Sequence, residues 1–235
     1  MIKFIAEESF WNLFPDAQLA VLRVSGLDNS ARENNEIQEQ LTSAHEAALQ
    51  HVSAETWTDN DVVRRWRDAF QKFKTKKGAR SSIEALLKRV SNGNTIGSIN
   101  PLVDVYNAIS LQYGTPVGGE DLAAVEGDVR LTLADGGEAF RPLGADADDP
   151  ALPGELIYKD DAGAICRCWN WREAERTMLT ESTTDAVMVL EAVDGSTDDT
   201  FWQAADALAD SIRQHLGADV QVHRVSRISP EVQIP

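Results

Sequence analysis

Hydrophobic positions follow a strand pattern in some segments of the chain and a helical period in others. Apolar residues run through DAQLAVLRVSGLDN (residues 16–29), which predicts a buried strand that stops at Gly-Leu-Asp-Asn. Because this strand comes early, we expect it to join a sheet built from later segments. From Ser30 to about Val52, apolar residues recur three or four apart, which predicts an amphipathic helix with a narrow apolar stripe of Ile37, Leu41, Ala44, Ala48 and Val52.

Three more helices are predicted before the middle of the chain. Thr58-Asp-Asn-Asp61 resembles a capping box, and the helix that follows places Val62, Val63, Trp66, Phe70 and Phe73 on one side. Ser81 suits the cap of a short helix that ends near Val90. After the loop SNGNTIGSINP, a helix is predicted from Pro101 to about Tyr113 with Gly114 as its stop, and the following Gly-Gly pair is interpreted as a turn.

The second half of the chain is dominated by short strands. Turn residues separate the predicted strands VRLTLA, AFRPL, ELIYKD, AICRCWNW and DAVMVLEAV. An acidic surface loop, GADADDPALPGE, lies among them, and a helix (FWQAADALADSIRQHLG) and a strand (DVQVHRVS) close the chain. Helices first, then several strands, then helix and strand again indicate a layered α+β domain without internal repeats.

Composition restricts the class of protein. With 43% hydrophobic residues in 235, the chain can bury a core, and it has no apolar run near the roughly 20 residues that span a bilayer. Glu7 and Glu8 stand where a signal peptide would need its apolar centre, so we expect a cytoplasmic protein with no membrane partner.

Charge is distributed unevenly along the chain. The formal net charge is −16, yet the segment from Arg64 to Arg89 has ten cations and two anions, a net of +8. Such a segment is compatible with local contact to a polyanion, or with a solvated basic face that balances acidic neighbours. The candidate RNA-contact residues are Arg64, Arg65, Lys72, Lys74, Lys76, Lys77 and Arg80.

Most signatures of catalysis are absent. The sequence has no phosphate-binding loop, dinucleotide fingerprint, nucleophile elbow or His-Glu-x-x-His motif, and we expect surface or capping roles for the four histidines. Cys166 and Cys168 would share one face of a strand, which suits buried thiols better than a disulfide or a zinc site. We therefore expect no metal or cofactor and assign no catalytic residue.

Two polar groupings are candidates for binding. Trp169, Asn170, Trp171 and Arg172 cluster at a strand end, where aromatic rings and a guanidinium can stack on a planar ligand, unless a Trp is part of the core. Glu191 is a lone carboxylate in the apolar strand VMVLEAV. If it faces the core it needs hydrogen bonds or neutralisation, and if the strand alternates the other way it points to water.

Four motifs follow one another in the region after Arg80. They are Val103-Asp104-Val105-Tyr106-Asn107, Gly114-Thr115-Pro116-Val117-Gly118-Gly119-Glu120-Asp121, Gly137-Glu138 and LTESTTDAVMVLEA. Their order resembles the B3/B4 module of the phenylalanyl-tRNA synthetase beta subunit, and more closely the freestanding relatives of that module. The resemblance covers about residues 80–195. It implies a three-layer β/β/α, α+β fold for residues 80–235, with residues 1–79 as an N-terminal strand and two helices packed on it.

The resemblance also implies a function. The synthetase module binds the 3′ end of a mischarged tRNA and hydrolyses the aminoacyl ester, and its Glu that recognises a tyrosine hydroxyl corresponds to Glu191. The sequence departs from the family where Gly118 replaces a His, where Tyr106 replaces a Thr or Ser, and where Cys168, Trp169 and Asn170 replace small residues. A water oriented by that His is therefore not expected.

Three hypotheses remain open from the sequence. The leading one is a tRNA-binding protein that recognises the aminoacylated 3′ end and hydrolyses the ester in trans, without full synthetase activity. Its binding residues would be Glu191, Arg172, Asn170, Trp169, Tyr106 and Gly118, with Asp104, Asn107 and Pro116 supporting the pocket. The alternatives are a non-catalytic binding module for an amino acid or similar small metabolite, and a plain interaction domain.

Overall fold

The computed structural model describes residues 2–30 and 34–234. Within them the strands are β1 Ile2–Ala6, β2 Gln18–Ser25, β3 Val117–Asp121, β4 Val129–Leu133, β5 Leu156–Lys159, β6 Ala164–Arg167, β7 Arg172–Glu173, β8 Asp185–Ala192, β9 Asp219–Val225 and β10 Glu231–Ile234. The α-helices are α1 Glu8–Leu13, α2 Asn35–Ala48, α3 Asp61–Phe70, α4 Ser82–Ser91, α5 Pro101–Tyr113 and α6 Asp198–Leu216. Among these helices, none combines the length and the apolar character that crossing a bilayer requires.

The strands form two sheets. Sheet A has the order β10-β1-β4-β5-β6-β7, and sheet B has the order β3-β8-β2-β9. In sheet B, β2 pairs antiparallel with β8 and β9 along its whole length, as the early apolar strand predicted. In sheet A, β1 pairs parallel with β4 and antiparallel with β10. The N-terminal residues thus supply one strand to each sheet.

Two apolar cores give the molecule three layers. One core lies between sheets A and B and includes Phe4, Leu131, Ile165 and Val187, with side chains from α1, α3 and α4. The other lies between sheet B and helices α2, α5 and α6, and includes residues such as Met188 and Leu208. Both faces of sheet B are therefore buried, which explains the nearly continuous apolar runs of β2 and β8. The predicted three-layer β/β/α, α+β fold is confirmed.

The helix predictions are mostly confirmed, with corrections at their ends. Helix α5 runs from Pro101 to Tyr113 as predicted, and Gly114 ends it in the left-handed conformation at φ 66°. Ser81 caps α4, accepting a 3.3 Å hydrogen bond from the backbone N–H of Glu84. Helix α2 ends at Ala48, beyond which a 3₁₀ turn reaches Val52. The predicted helix start included residues 31–33, which lie outside the described residues.

The capping box predicted at Thr58 is wrong. Trp57–Asp59 form a 3₁₀ turn, and α3 begins only at Asp61. The side chain of Asn60 fixes this turn, because it accepts from the backbone N–H of Ala54 and donates to the carbonyl of Trp57, both at 2.9 Å.

Three predictions about strands and turns need correction. AFRPL is not a strand, since only Pro142 makes an isolated bridge, to Ala174, and a proline cannot donate to a ladder. Conversely, the Gly118-Gly119 pair is not a turn but the middle of β3, which pairs antiparallel with β8. The residues around Cys168 also leave the predicted strand, because β6 ends at Arg167.

Candidate functional site

A small cavity adjoins an open groove where β3, β7 and the start of α4 come together. The cavity lies between the sheets and has a volume of about 50 Å³. The groove beside it has a volume of about 660 Å³. Four residues line both spaces, namely Ser82, Val117, Asn170 and Glu173. These residues form the boundary between an enclosed, mainly apolar interior and the surface.

A strained turn between β6 and β7 places Asn170 at this boundary. Cys168 and Trp169 both have positive φ angles, 47° and 64°, which cost roughly 1 kcal/mol or more each for residues with a Cβ. Packing of the Trp169 ring holds the turn, since its centroid lies 4.6 Å from that of Phe14 and 4.9 Å from that of Trp66. Trp169 is therefore a core residue, with one edge on the cavity.

Glu191 faces the space between the sheets, so the outward alternative is excluded. It is 3% exposed, and its Oε1 accepts a 2.6 Å hydrogen bond from the hydroxyl of Tyr158. Its Oε2 accepts a 2.5 Å hydrogen bond from Nδ2 of Asn170, whose Oδ1 accepts from the backbone N–H of Ser82 at 3.3 Å. Burial raises the pKa of Glu191 to about 7, and the hydrogen bonds from Tyr158 and Asn170 oppose that rise.

Two further carboxyl groups line the cavity and were missed by the sequence reasoning. Glu120 is buried on β3, and desolvation and the neighbouring charge of Glu173 raise its pKa well above the usual range. Glu173 lies on β7, and burial raises its pKa to about 7. The alternation of β3 would have pointed Glu120 inward, had Gly118-Gly119 been recognised as strand rather than turn.

Because Gly118 has no side chain, the carboxylate of Glu173 can lie close to its backbone. A Cβ built on Gly118 would lie 3.4 Å from Oε1 of Glu173. The carboxylate therefore stands over the position at which the family resemblance expects a His side chain. Gly118 lines the cavity, and its lack of a side chain leaves that part of the cavity free.

The remaining predicted residues surround the groove or support it. Tyr106, Asn107, Trp171 and Arg172 line the groove, and Arg172 is exposed. Asp104 does not line it. Its carboxylate accepts from the hydroxyl of Ser98 and, at 2.8 Å, from the backbone N–H of Ile99, so it fixes the loop that forms one groove wall. Pro116 is buried directly before β3.

The basic segment is not gathered at the groove. None of its seven candidate RNA-contact residues is among the residues that line the groove. Arg64 pairs with Asp61, and Lys76 with Asp149. Lys72 lies over the ring of Phe14, 5.0 Å from its centroid. Four other candidates form no ion pair with any described residue, namely Arg65, Lys74, Lys77 and Arg80. A different cation of the segment, Arg89 of α4, does line the groove.

Neither cysteine forms a disulfide, and the two do not share a strand face. Cys166 of β6 lines the cavity, whereas Cys168 lies in the strained turn. Burial raises the pKa of the Cys166 thiol well above its usual value and that of Cys168 to about 11, so both are poor nucleophiles at neutral pH.

Comparisons with known proteins agree with this architecture. The fold is similar to the crystal structure of an N-terminal fragment of the phenylalanyl-tRNA synthetase beta subunit from Pyrococcus horikoshii, with a TM-score of 0.54 and 12% sequence identity. That match covers 100% of this chain and 54% of the fragment, and it shows a shared fold.

Sequence comparison gives a narrower likeness. The chain is 35% identical to the phenylalanine–tRNA ligase beta subunit of Shewanella oneidensis over 68 residues, which is 28% of this chain and 8% of that protein. The model of the B3/4 domain family matches residues 65–208, more than half of the chain. The chain therefore belongs to the B3/4 domain family.

Proposed function

We propose that the protein recognises the aminoacylated 3′ end of a tRNA and hydrolyses the ester in trans. The observation that carries this proposal is the small cavity lined by carboxyl groups, which adjoins a surface groove in a B3/4 domain. The aminoacyl group would enter the cavity, and the terminal nucleotide would lie in the groove.

The groove has the chemistry that a nucleotide requires. Arg89 and Arg172 are cations on its wall, and Trp171 offers a half-buried aromatic face. The guanidinium of Arg172 lies 5.8 Å from the centroid of the Trp171 ring, so both groups can contact one base and its phosphate. Guanidinium groups bind phosphate, and aromatic rings stack on bases irrespective of sequence.

Hydrolysis would depend on positioning. An aminoacyl ester is already reactive, so a site that fixes its carbonyl and a water molecule accelerates hydrolysis without a protein nucleophile. Tyr158 and Asn170 already satisfy the carboxylate of Glu191. This arrangement does not favour a tyrosine hydroxyl as the group recognised by Glu191, and it favours a small aminoacyl group.

A non-catalytic binding module for an amino acid is the second candidate. The enclosed volume of about 50 Å³ and the net charge of −16 favour it, because a small ligand needs no polyanion surface. A thermal-shift screen separates the two candidates. Stabilisation by free amino acids but not by aminoacyl-adenosine analogues would support the binding module.

The test of the leading proposal is a deacylation panel with filter binding of tRNA. Purified protein is expected to retain tRNA at low salt and to release amino acid from at least one mischarged tRNA. Arg172→Ala should weaken retention, whereas Arg227→Ala, an exposed arginine outside the groove, should not. Absence of both retention and release across the panel would overturn the proposal.

A further inference from the structure

The cavity holds buried polar atoms without partners among the described residues. Oε2 of Glu120, on a residue 9% exposed, and Nε1 of the fully buried Trp169 make no hydrogen bond of ordinary distance and angle. Both residues line the cavity, and so does Ser82, whose Oγ is also unpaired. The Thr177 hydroxyl still acts on Glu120 and lowers its pKa, and the Trp169 N–H acts likewise on Glu191. Buried polar groups are almost always paired in native proteins, so the Glu120 oxygen is the atom that a polar ligand in the cavity would satisfy best.

The charges around Glu120 are mostly negative. Glu173 lines the same cavity, and the other titratable groups of the surrounding strands and helix α5 include Cys166, Tyr106, Tyr158 and Glu191. Burial raises the pKa of Cys166, Tyr106 and Tyr158 well above their usual values, so these three groups are neutral at pH 7. Asp104 and Asp160 contribute more negative charge from further away.

Among the described residues, the positive charge of Arg176 lowers the pKa of Glu120, but Arg176 already pairs with another carboxylate. Its guanidinium donates to both carboxylate oxygens of Asp160, at 2.7 and 3.0 Å, and to the carbonyl of Ala124. Among the described residues, two carboxyl groups thus line one small cavity without a cation of their own.

We propose that Glu120 and Glu173 form a subsite for a primary ammonium group carried on a short carbon chain. An ammonium group has three donors and a positive charge, so it satisfies the unpaired oxygen of Glu120 and offsets the repulsion between the two carboxylates.

The cavity limits the size of the ligand. A water molecule needs about 10–15 Å³ of such volume, so about 50 Å³ admits three or four water-sized groups. Two sources present this chemistry, the α-ammonium of a small aminoacyl group and the end of a short amine side chain. The first source rests on the proposed function, and the second does not.

Binding of an ammonium group must also displace protons from the carboxyl groups of Glu120 and Glu173. At pH 6 the pair is more protonated than at pH 7, because burial raises the pKa of Glu173 to about 7 and that of Glu120 further above the usual range. An α-ammonium group, with a pKa near 8, remains mostly charged over this interval. Affinity should therefore increase by up to about tenfold from pH 6 to pH 7.

Titration calorimetry tests the subsite without tRNA. The intact protein is titrated with alaninamide, with isobutyramide, which has a methyl group in place of the ammonium at nearly the same size, and with propylamine. Binding of alaninamide but not of isobutyramide assigns the α-ammonium, and binding of propylamine alone assigns a side-chain amine. Glu120→Gln and Glu173→Gln should each weaken binding at least tenfold, whereas Glu175→Gln, an exposed neighbour outside the cavity, should not. Urea unfolding of each variant verifies that it is folded.

Three results would overturn the subsite. These are no detectable binding of either amine, equal binding of isobutyramide and alaninamide, and undiminished binding by both glutamine variants. If the protein binds an amine but deacylates no tRNA, only the proposed function is refuted. If the protein deacylates tRNA, Glu120→Gln retains that activity and no amine binds, only the subsite is refuted.

Discussion

The hydroxyl of Tyr158 on β5 donates a 2.6 Å hydrogen bond to Oε1 of Glu191 on β8, and so joins the two sheets across the cavity. Both side chains are buried. The phenol thereby occupies one oxygen of the carboxylate and closes the inner end of the cavity. The protein's own tyrosine thus makes the contact that the family resemblance assigns to a tyrosine substrate.

Tyr158→Phe should destabilise the protein by about 1–3 kcal/mol at pH 8, because it leaves a buried carboxylate oxygen without its donor. The cost should be smaller at pH 5, where Glu191 is protonated, since its pKa is about 7. Urea unfolding at the two pH values measures both costs. Tyr113→Phe, at a half-buried tyrosine, is the matched control, and an equal effect of the two substitutions would contradict the prediction.

Stability should decrease as pH rises from about 5 to 8. Glu191 and Glu173 have pKa values of about 7 in the folded protein, against an ordinary value of 4.5. The native state then binds more protons than the unfolded state, so the stabilisation is complete below about pH 4.5 and is lost as pH rises through 7. The steepest slope is roughly 1.4 kcal/mol per pH unit for each group.

Glu191→Gln should flatten this profile, and Glu175→Gln should not. Urea unfolding between pH 5 and 8 provides the measurement. A wild-type profile that is flat or rises with pH would contradict the two raised pKa values.

Gly118→Ala should reduce ligand binding with little effect on folding. The backbone at Gly118 is not in the left-handed region, and the new Cβ would lie 3.4 Å from Oε1 of Glu173, an ordinary contact. The methyl group narrows the cavity beside that carboxylate. We expect at least a tenfold loss of alaninamide affinity with an unfolding free energy within about 1 kcal/mol of wild type. Unchanged affinity would indicate that the ligand does not pass Gly118.

Arg167 and Glu155 form a fully buried ion pair, with Nε to Oε2 at 2.8 Å and Nη2 to Oε1 at 2.6 Å. Arg167→Met leaves Glu155 unpaired and should cost about 3–5 kcal/mol, whereas Arg167→Met with Glu155→Leu should regain most of that loss. A double-mutant cycle by urea unfolding measures the coupling. Arg141→Ala, at an exposed ion pair with Asp148, should cost less than about 1 kcal/mol. If Arg167→Met costs no more than Arg141→Ala, the predicted importance of the buried ion pair is refuted.

The sequence predicted elements whose signals are local. Helix α5 was found to the residue because Pro101 and Gly114 mark its ends, and β2 and β8 were found because both faces of their sheet are apolar. Elements that depend on distant partners were missed. The short strands β1 and β10 derive their order from pairing with each other, and β3 from pairing with β8. The Gly, Glu and Asp residues of β3 carry little strand preference of their own, and β1 and β10 have only five and four residues.

The candidate site shows the same division. Residue patterns identified Glu191, Asn170 and Arg172 as candidates, since a carboxylate in an apolar strand and a cluster of aromatics beside a cation stand out locally. Gly118 became a candidate through the family resemblance, because it stands where the family has a His. Only the tertiary structure showed that Tyr158 satisfies Glu191, that Trp169 packs in the core, and that Glu120 and Glu173 share a cavity. Those contacts join segments that are distant in the sequence, so packing decides them and no local period encodes them.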